Sequence, residues 1–138
     1  MFLRVIYSQR KEAEFMKSII KKQFIDCSDT DSFCFSLECP ECGKVWKSTP
    51  IRFSKAGENS FTEEKRIVLK ILYEREHAMA LEKAAAEAAT FFNLCPHCGK
   101  MVCDDCFMIC EDLDICRSCA ESLKETGEPI SFAGWVAG

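Results

Sequence analysis

Along the first sixty residues the spacing of apolar positions changes, and each change predicts a different element. Residues 1–7, "MFLRVIY", are apolar around Arg4 and read as a short strand. Over residues 8–25, Phe15, Met16, Ile19, Ile20 and Phe24 recur at three- and four-residue spacings with Lys and Glu between them, the signature of one buried helix face. "DCSDTDS" (26–32) interrupts that helix with turn-forming residues. From residue 33 the period shortens to two: Phe33, Phe35 and Leu37 alternate, and Val45 follows after Gly43. Residues 33–53 therefore predict a β-hairpin with Cys39-Pro40-Glu41-Cys42-Gly43 at its tip, and "SKAGENS" (54–60) reads as a loop.

The longest regular stretch is 61–92, which has no Gly or Pro and is dominated by Ala, Leu, Lys and Glu, all strong helix formers. Ser60 and Glu63 match a capping box, in which the serine oxygen accepts an orphan amide proton and the glutamate reaches back to the cap. Thirty helical residues would extend about 45 Å. Ile67, Ile71, Ala78, Leu81, Ala85 and Phe92 form an uneven stripe, expected to face the rest of the chain and the N-terminal helix; a dimeric coiled coil is the alternative. Residues 94–123 hold a cysteine cluster, with a helix expected in "CRSCAESLKE". The apolar tail "GEPISFAGWVAG" reads as a docking strand anchored by Trp135, or as a flexible end.

Together these elements predict an α+β class: a small domain of β-hairpins and cysteine knuckles with a long inserted helix and an N-terminal helix. Residues 1–32 would form the N-terminal strand and helix. Residues 33–138 would form the cysteine-rich domain, made of the 33–53 knuckle, the 61–92 helix and the cysteine cluster with its helix over 94–138.

Composition narrows the chemistry. The 138-residue chain is 48% hydrophobic and 29% charged, which suits a globular domain rather than a disordered one. No apolar run reaches the length of a membrane span, and the N-terminus lacks the h-region and cleavage site of a secretory signal. A cytoplasmic location without membrane association is expected. Eleven residues are cysteine, and eight of these fall in Cys-x-x-Cys pairs, a pattern that in a reducing compartment favours metal thiolates over disulfides. Residues 1–60 hold ten Lys/Arg against eight Asp/Glu, a net of +2; residues 61–138 hold eight against fourteen, a net of −6. Phosphate contacts need clustered positive charge, so the acidic, cysteine-rich half disfavours nucleic acid.

The pairs are Cys39/Cys42, Cys95/Cys98, Cys103/Cys106 and Cys116/Cys119. Eight thiolates make two four-cysteine sites, the coordination typical of structural zinc, although four thiolates suit iron too. Two of the pairs are Cys-Pro-x-Cys-Gly knuckles, where Gly43 and Gly99 supply the positive φ that turns sulfurs and amides toward one ion. Five residue steps at about 3.3 Å separate Cys98 from Cys103 by roughly 16 Å if the intervening residues are extended. Sulfurs on one zinc lie within about 4 Å of each other. The two central pairs are therefore assigned to different metals, each completed by an outer pair. Two arrangements satisfy this. In the crossed one, Cys39/Cys42 joins Cys103/Cys106 and Cys95/Cys98 joins Cys116/Cys119. In the sequential one, Cys39/Cys42 joins Cys95/Cys98 as a split zinc ribbon and Cys103/Cys106 joins Cys116/Cys119.

"CPHCGKMVCDDC" followed by "LDICRSCAESL" resembles the FYVE and RING group of cross-brace, treble-clef zinc domains. The resemblance covers about 26 C-terminal residues together with the knuckle at 39–43, and it implies the crossed pairing. Here 52 residues separate Cys42 from Cys95, so the long helix is an insertion relative to that group. FYVE domains bind a phosphoinositide through a basic stretch around their second pair. This chain reads "FFNLCPHCGK" there, and His97 with Lys100 does not replace that positive pocket.

Outside the pairs, Cys27, Cys34 and Cys110 read as small buried hydrophobes, with Cys110 also a candidate accessory ligand or sensor thiol. His97 is expected to face solvent or orient a sulfur, and His77 to be solvated or packed. No catalytic set is recognisable: there is no P-loop, no Gly-x-Ser-x-Gly, and no His-x-Glu to serve a zinc deaminase. The chain therefore reads as a non-enzymatic protein with two structural zincs, serving as an interaction or adaptor module for a protein partner. A thiol-based redox or metal sensor is one alternative. The other is a zinc-ribbon nucleic-acid binder using Lys44, Trp46, Lys47, Arg52 and Lys55.

Overall fold

A computed structural model describes residues 14–110, 113–123 and 127–130. The architecture is α+β, with helices set against several small antiparallel sheets. Helix α1 covers 14–23 of the predicted N-terminal helix, while the strand expected over 1–7 lies outside the described residues. Strands β1 (Ile25–Asp26), β2 (Ser32–Phe33), β3 (Phe35–Glu38), β4 (Val45–Lys47) and β5 (Ile51–Arg52) follow. The 33–53 hairpin forms as expected: β3 pairs antiparallel with β4, Glu38 opposite Val45, leaving the Cys39–Lys44 turn at the tip. β1 adds to the other edge of β3, and β2 pairs with β5.

Helix α2 spans Glu63–Ala88, about 39 Å. Its cap corrects the sequence expectation. Thr62, not Ser60, is the N-cap: its backbone is extended (φ −117, ψ 153) and its hydroxyl accepts from the Lys65 amide at 3.2 Å. Glu63 and Glu64 then fall in the first turn, where carboxylates oppose the positive end of the helix dipole. The helix stops before Phe92 because its last turn tightens, with the Thr90 and Phe91 amides donating to Glu87 and Ala88. Phe92 instead starts β6 (Phe92–Leu94).

Only the later part of the expected stripe faces the core: Ala85 and Phe92 are buried, and Leu81 is half-buried. Ala80, Ala84, Ala85 and Ala88 are buried, while Ile67, Ile71 and Ala78 face outward. The facing wall carries Phe33, Phe35 and Phe53, and α2 meets it with Ala80 and Ala84 and with the rings of Tyr73 and His77. Leu72, Tyr73 and Leu81 close the edges of this cluster. The Tyr73 hydroxyl donates to the Asp29 carbonyl at 2.8 Å, and Lys21 of α1 pairs with Glu82. His77 is packed edge-on against Phe33 and Phe35, with Nε2 2.9 Å from Asp26 Oδ2.

The remaining elements are β7 (Met101–Cys103), β8 (Phe107–Cys110), β9 (Ile115–Cys116), α3 (Arg117–Ser122) and β10 (Gly127–Pro129). β6 pairs with β7, and β8 is the central strand between β9 and β10. A second core joins Ile20, Leu37, Ala85, Ala88, Phe92, Met101, Val102 and Ile115 to the cysteines. The start of the predicted docking tail thus lies on β8; Trp135 lies outside the described residues. Among the described residues no helix is long and apolar enough to cross a membrane.

Candidate metal centres

Both knuckles fold by the same local hydrogen bonds. In the first, the Cys39 amide donates to the Lys44 carbonyl (2.9 Å) and the Gly43 amide to the Cys39 carbonyl (2.8 Å). In the second, the Cys95 amide donates to Lys100 and the Gly99 amide to Cys95, both at 2.8 Å. Gly43 and Gly99 have φ of 77° and 78°, a conformation a Cβ would penalise. Each knuckle is the tip of a hairpin, β3–β4 for the first and β6–β7 for the second.

Strand β7 answers why two pairs stand so close in sequence. It leaves the second knuckle and ends at Cys103, whose partner across the sheet is Phe92. Cys106 follows through a turn closed by its amide on the Cys103 carbonyl (3.0 Å). The β8–β9 hairpin then returns the chain to Cys116, which caps the start of α3, and Cys119 lies one turn further on. The Arg117 amide donates to the Cys106 carbonyl at 2.8 Å, fastening α3 to the third pair.

The result is two groups of four sulfurs, Cys39/Cys42/Cys103/Cys106 and Cys95/Cys98/Cys116/Cys119, all within 4.8 Å of one another in each group. This is the crossed arrangement. Sulfur separations are 3.7 Å for Cys42–Cys103 and Cys103–Cys106, 3.8 Å for Cys95–Cys119 and 3.6 Å for Cys98–Cys116. A tetrahedron of sulfurs about 2.3 Å from zinc has edges of about 3.8 Å. A disulfide would need about 2.05 Å. The two groups fit two zinc ions.

Burial and hydrogen bonding act differently on the sulfurs within each group. Burial works against ionisation of Cys39, but the amides of Cys103, Cys42 and Glu41 aim at its sulfur and bring the thiol down to about 7. Burial likewise opposes the amides of Cys116, Cys98 and His97 at Cys95, which also comes down to about 7. The Cys103 and Cys116 amides lie 3.4 and 3.3 Å from these sulfurs. The later cysteines move the other way: burial, then the neighbouring thiols, push Cys103 up to about 11, and Cys106, Cys116 and Cys119 are also raised. Four thiolates this close repel each other unless a cation sits among them, which is the condition a divalent metal satisfies.

Each knuckle's variable residue has its own task, which the sequence reading found for His97 but missed for Glu41. His97 is exposed and places Nδ1 3.2 Å from Cys119 Sγ, so it does orient a sulfur. Glu41 accepts from Ser118 of α3 at 2.7 Å and pairs with Lys100 at 3.0 Å, joining the first knuckle to the second site. Its side chain is only 9% exposed. The Ser118 hydrogen bond, against partial burial and with help from Lys100, holds its carboxyl below the usual range. The only signal in sequence was its place inside a knuckle.

The remaining thiols differ from one another. Cys27 is exposed, contrary to the buried reading, because it follows edge strand β1, with its thiol toward Ser36 Oγ and the Ile25 carbonyl. Cys34 is half-buried and donates to the Ser48 carbonyl at 3.5 Å. Cys110 is buried and belongs to neither sulfur group. Of the basic-aromatic set on the first hairpin, Trp46 is packed among Phe24, Phe91 and Phe92. Lys44 and Lys55 lie 3.7 Å from the carboxylates of Asp105 and Glu58.

No protein-family model, curated protein or solved structure matches the chain. Fold and site define an α+β protein with two interleaved four-cysteine clusters at metal-binding distance.

Proposed function

We propose that this chain is a non-enzymatic, cytoplasmic protein-interaction or adaptor module whose two zincs are structural and belong to a cross-brace, treble-clef arrangement of the FYVE and RING type. The observation that carries the reading is the gathering of four sulfurs within 4.8 Å of one another in each group, enough to fill every position of a four-coordinate ion and leave none for water or substrate. A structural zinc contributes about 10–16 kcal/mol of binding free energy at neutral pH, against a net domain stability of about 5–15 kcal/mol. Metal removal should therefore abolish the folded cysteine core. The test is elemental analysis of freshly purified protein, followed by near-UV circular dichroism before and after chelation. Two zincs per chain and loss of the near-UV signal are expected; metal-free protein, or an apo-protein that still unfolds cooperatively, overturns the proposal.

A redox-sensing role is the second reading, supported by one feature common to both clusters. The second cysteine of each knuckle, Cys42 and Cys98, is exposed while the other three ligands are buried. An oxidant reaches such a ligand first. Zinc release at mild peroxide would favour sensing, and its absence would sink that role.

A further inference from the structure

The outward face of α2 carries a seam that, among the described residues, is left exposed. Glu64, Val68, Ile71, Arg75, Ala78 and Glu82 recur at alternating steps of four and three, opposite the alanine face packed on the hairpin sheets. Val68 and Ile71, with Ile67 and Met79 at the margins, are about half exposed, and Phe61 just ahead of the helix is 90% exposed. Neither core cluster includes these side chains. Among the described residues, Glu64 and Arg75 have no ion-pair partner, whereas Glu82 is taken by Lys21 and marks the end of the seam.

We infer that this face binds a second copy of the chain, two α2 helices meeting antiparallel about a two-fold axis between residues 69 and 70. In that register Val68 meets the partner's Ile71, Glu64 meets the partner's Arg75, and Phe61 lies over the partner's Ala78, where a small side chain leaves room for the ring. The charges choose the direction. A parallel pair would set Glu64 against Glu64 and Arg75 against Arg75, whereas the antiparallel pair joins opposite charges at both ends of the apolar centre. Two-fold symmetry repeats every contact, so a short seam is used twice. The contact is small beside the roughly 800 Å² per partner of a standard interface, so the dimer is concentration-dependent.

Sedimentation equilibrium of the zinc-loaded full chain over a wide concentration range tests this. The mass should rise from 15.7 kDa toward twice that value. Glu64→Arg and Arg75→Glu should each weaken association by about tenfold or more, and the double swap should restore it, since opposite charges then face each other again. Val68→Ser with Ile71→Ser, both at exposed positions, should abolish it while zinc content and circular dichroism stay unchanged. A monomer at every concentration, or a dimer indifferent to the charge swaps and to the serine pair, overturns the inference. A dimer in which the double swap fails to rescue overturns the antiparallel register.

Discussion

Glu41, in the first knuckle, accepts hydrogen bonds from Ser118, one residue before the last ligand of the second site. A carboxylate that is nearly buried and bonded across two metal clusters makes each site part of the other's support. Glu41→Ala should therefore accelerate zinc loss from both sites and cost about 1.5–3 kcal/mol of stability, the range for a hydrogen bond to a charged group. Stopped-flow transfer of zinc to a chromophoric chelator reads the rates. Because Lys100 is 44% exposed, its share is small, and the coupling should lie in the Glu41/Ser118 pair. A double-mutant cycle that gives additive costs for Glu41→Ala and Ser118→Ala would refute this.

The crossed ligand sets predict which cysteines report together. In cadmium-substituted protein, Cys42→Ser and Cys106→Ser should perturb one and the same ¹¹³Cd resonance, and Cys98→Ser the other. Cys42 and Cys98 sharing a resonance would mean that the knuckles pair with each other instead.

The loop after β5 is held on α2 by Glu76, which accepts from the Ser54 amide at 2.9 Å and from its hydroxyl at 2.5 Å. These bonds hold the Glu76 carboxyl below its usual value of 4.5. A depressed folded-state pKa gives stability that is complete above the unfolded value and fades as pH falls through the folded one. The cost of Glu76→Gln should accordingly stay constant between pH 7 and 5.5 in urea titrations. A cost that shrinks within that window contradicts the assignment.

Gly127 faces Cys110 across β10–β8, where an added Cβ would lie 2.5 Å from the Ile109 carbonyl oxygen and 2.8 Å from Cys110 Sγ. Gly127→Ala should cost about 1–3 kcal/mol through overpacking and detach β10 from β8. Hydrogen exchange at the β8 amides is the direct readout, and unchanged protection there would count against it.

Much of this molecule was legible in the chain itself. The eight paired cysteines, the two glycine-ended knuckles, the 33–53 hairpin and the long helix all follow from local rules: fixed Cys-x-x-Cys reach, positive φ at glycine, and the periods of strand and helix. The assignment of central pairs to different metals also came from distance alone, because β7 is too extended to fold back on itself.

Partnership was another matter. Which outer pair completes which site depends on how hairpins far apart in sequence cross, and spacing allowed both answers. The buried face of α2 was likewise decided in three dimensions. Its most apolar residues were the natural choice for a core, yet the wall of Phe33, Phe35 and Phe53 is met instead by Ala80, Ala84 and the rings of Tyr73 and His77. Glu41 became a link between the sites for the same reason: ligand chemistry is written along the chain, whereas shape complementarity and long-range contacts exist only once the chain has folded.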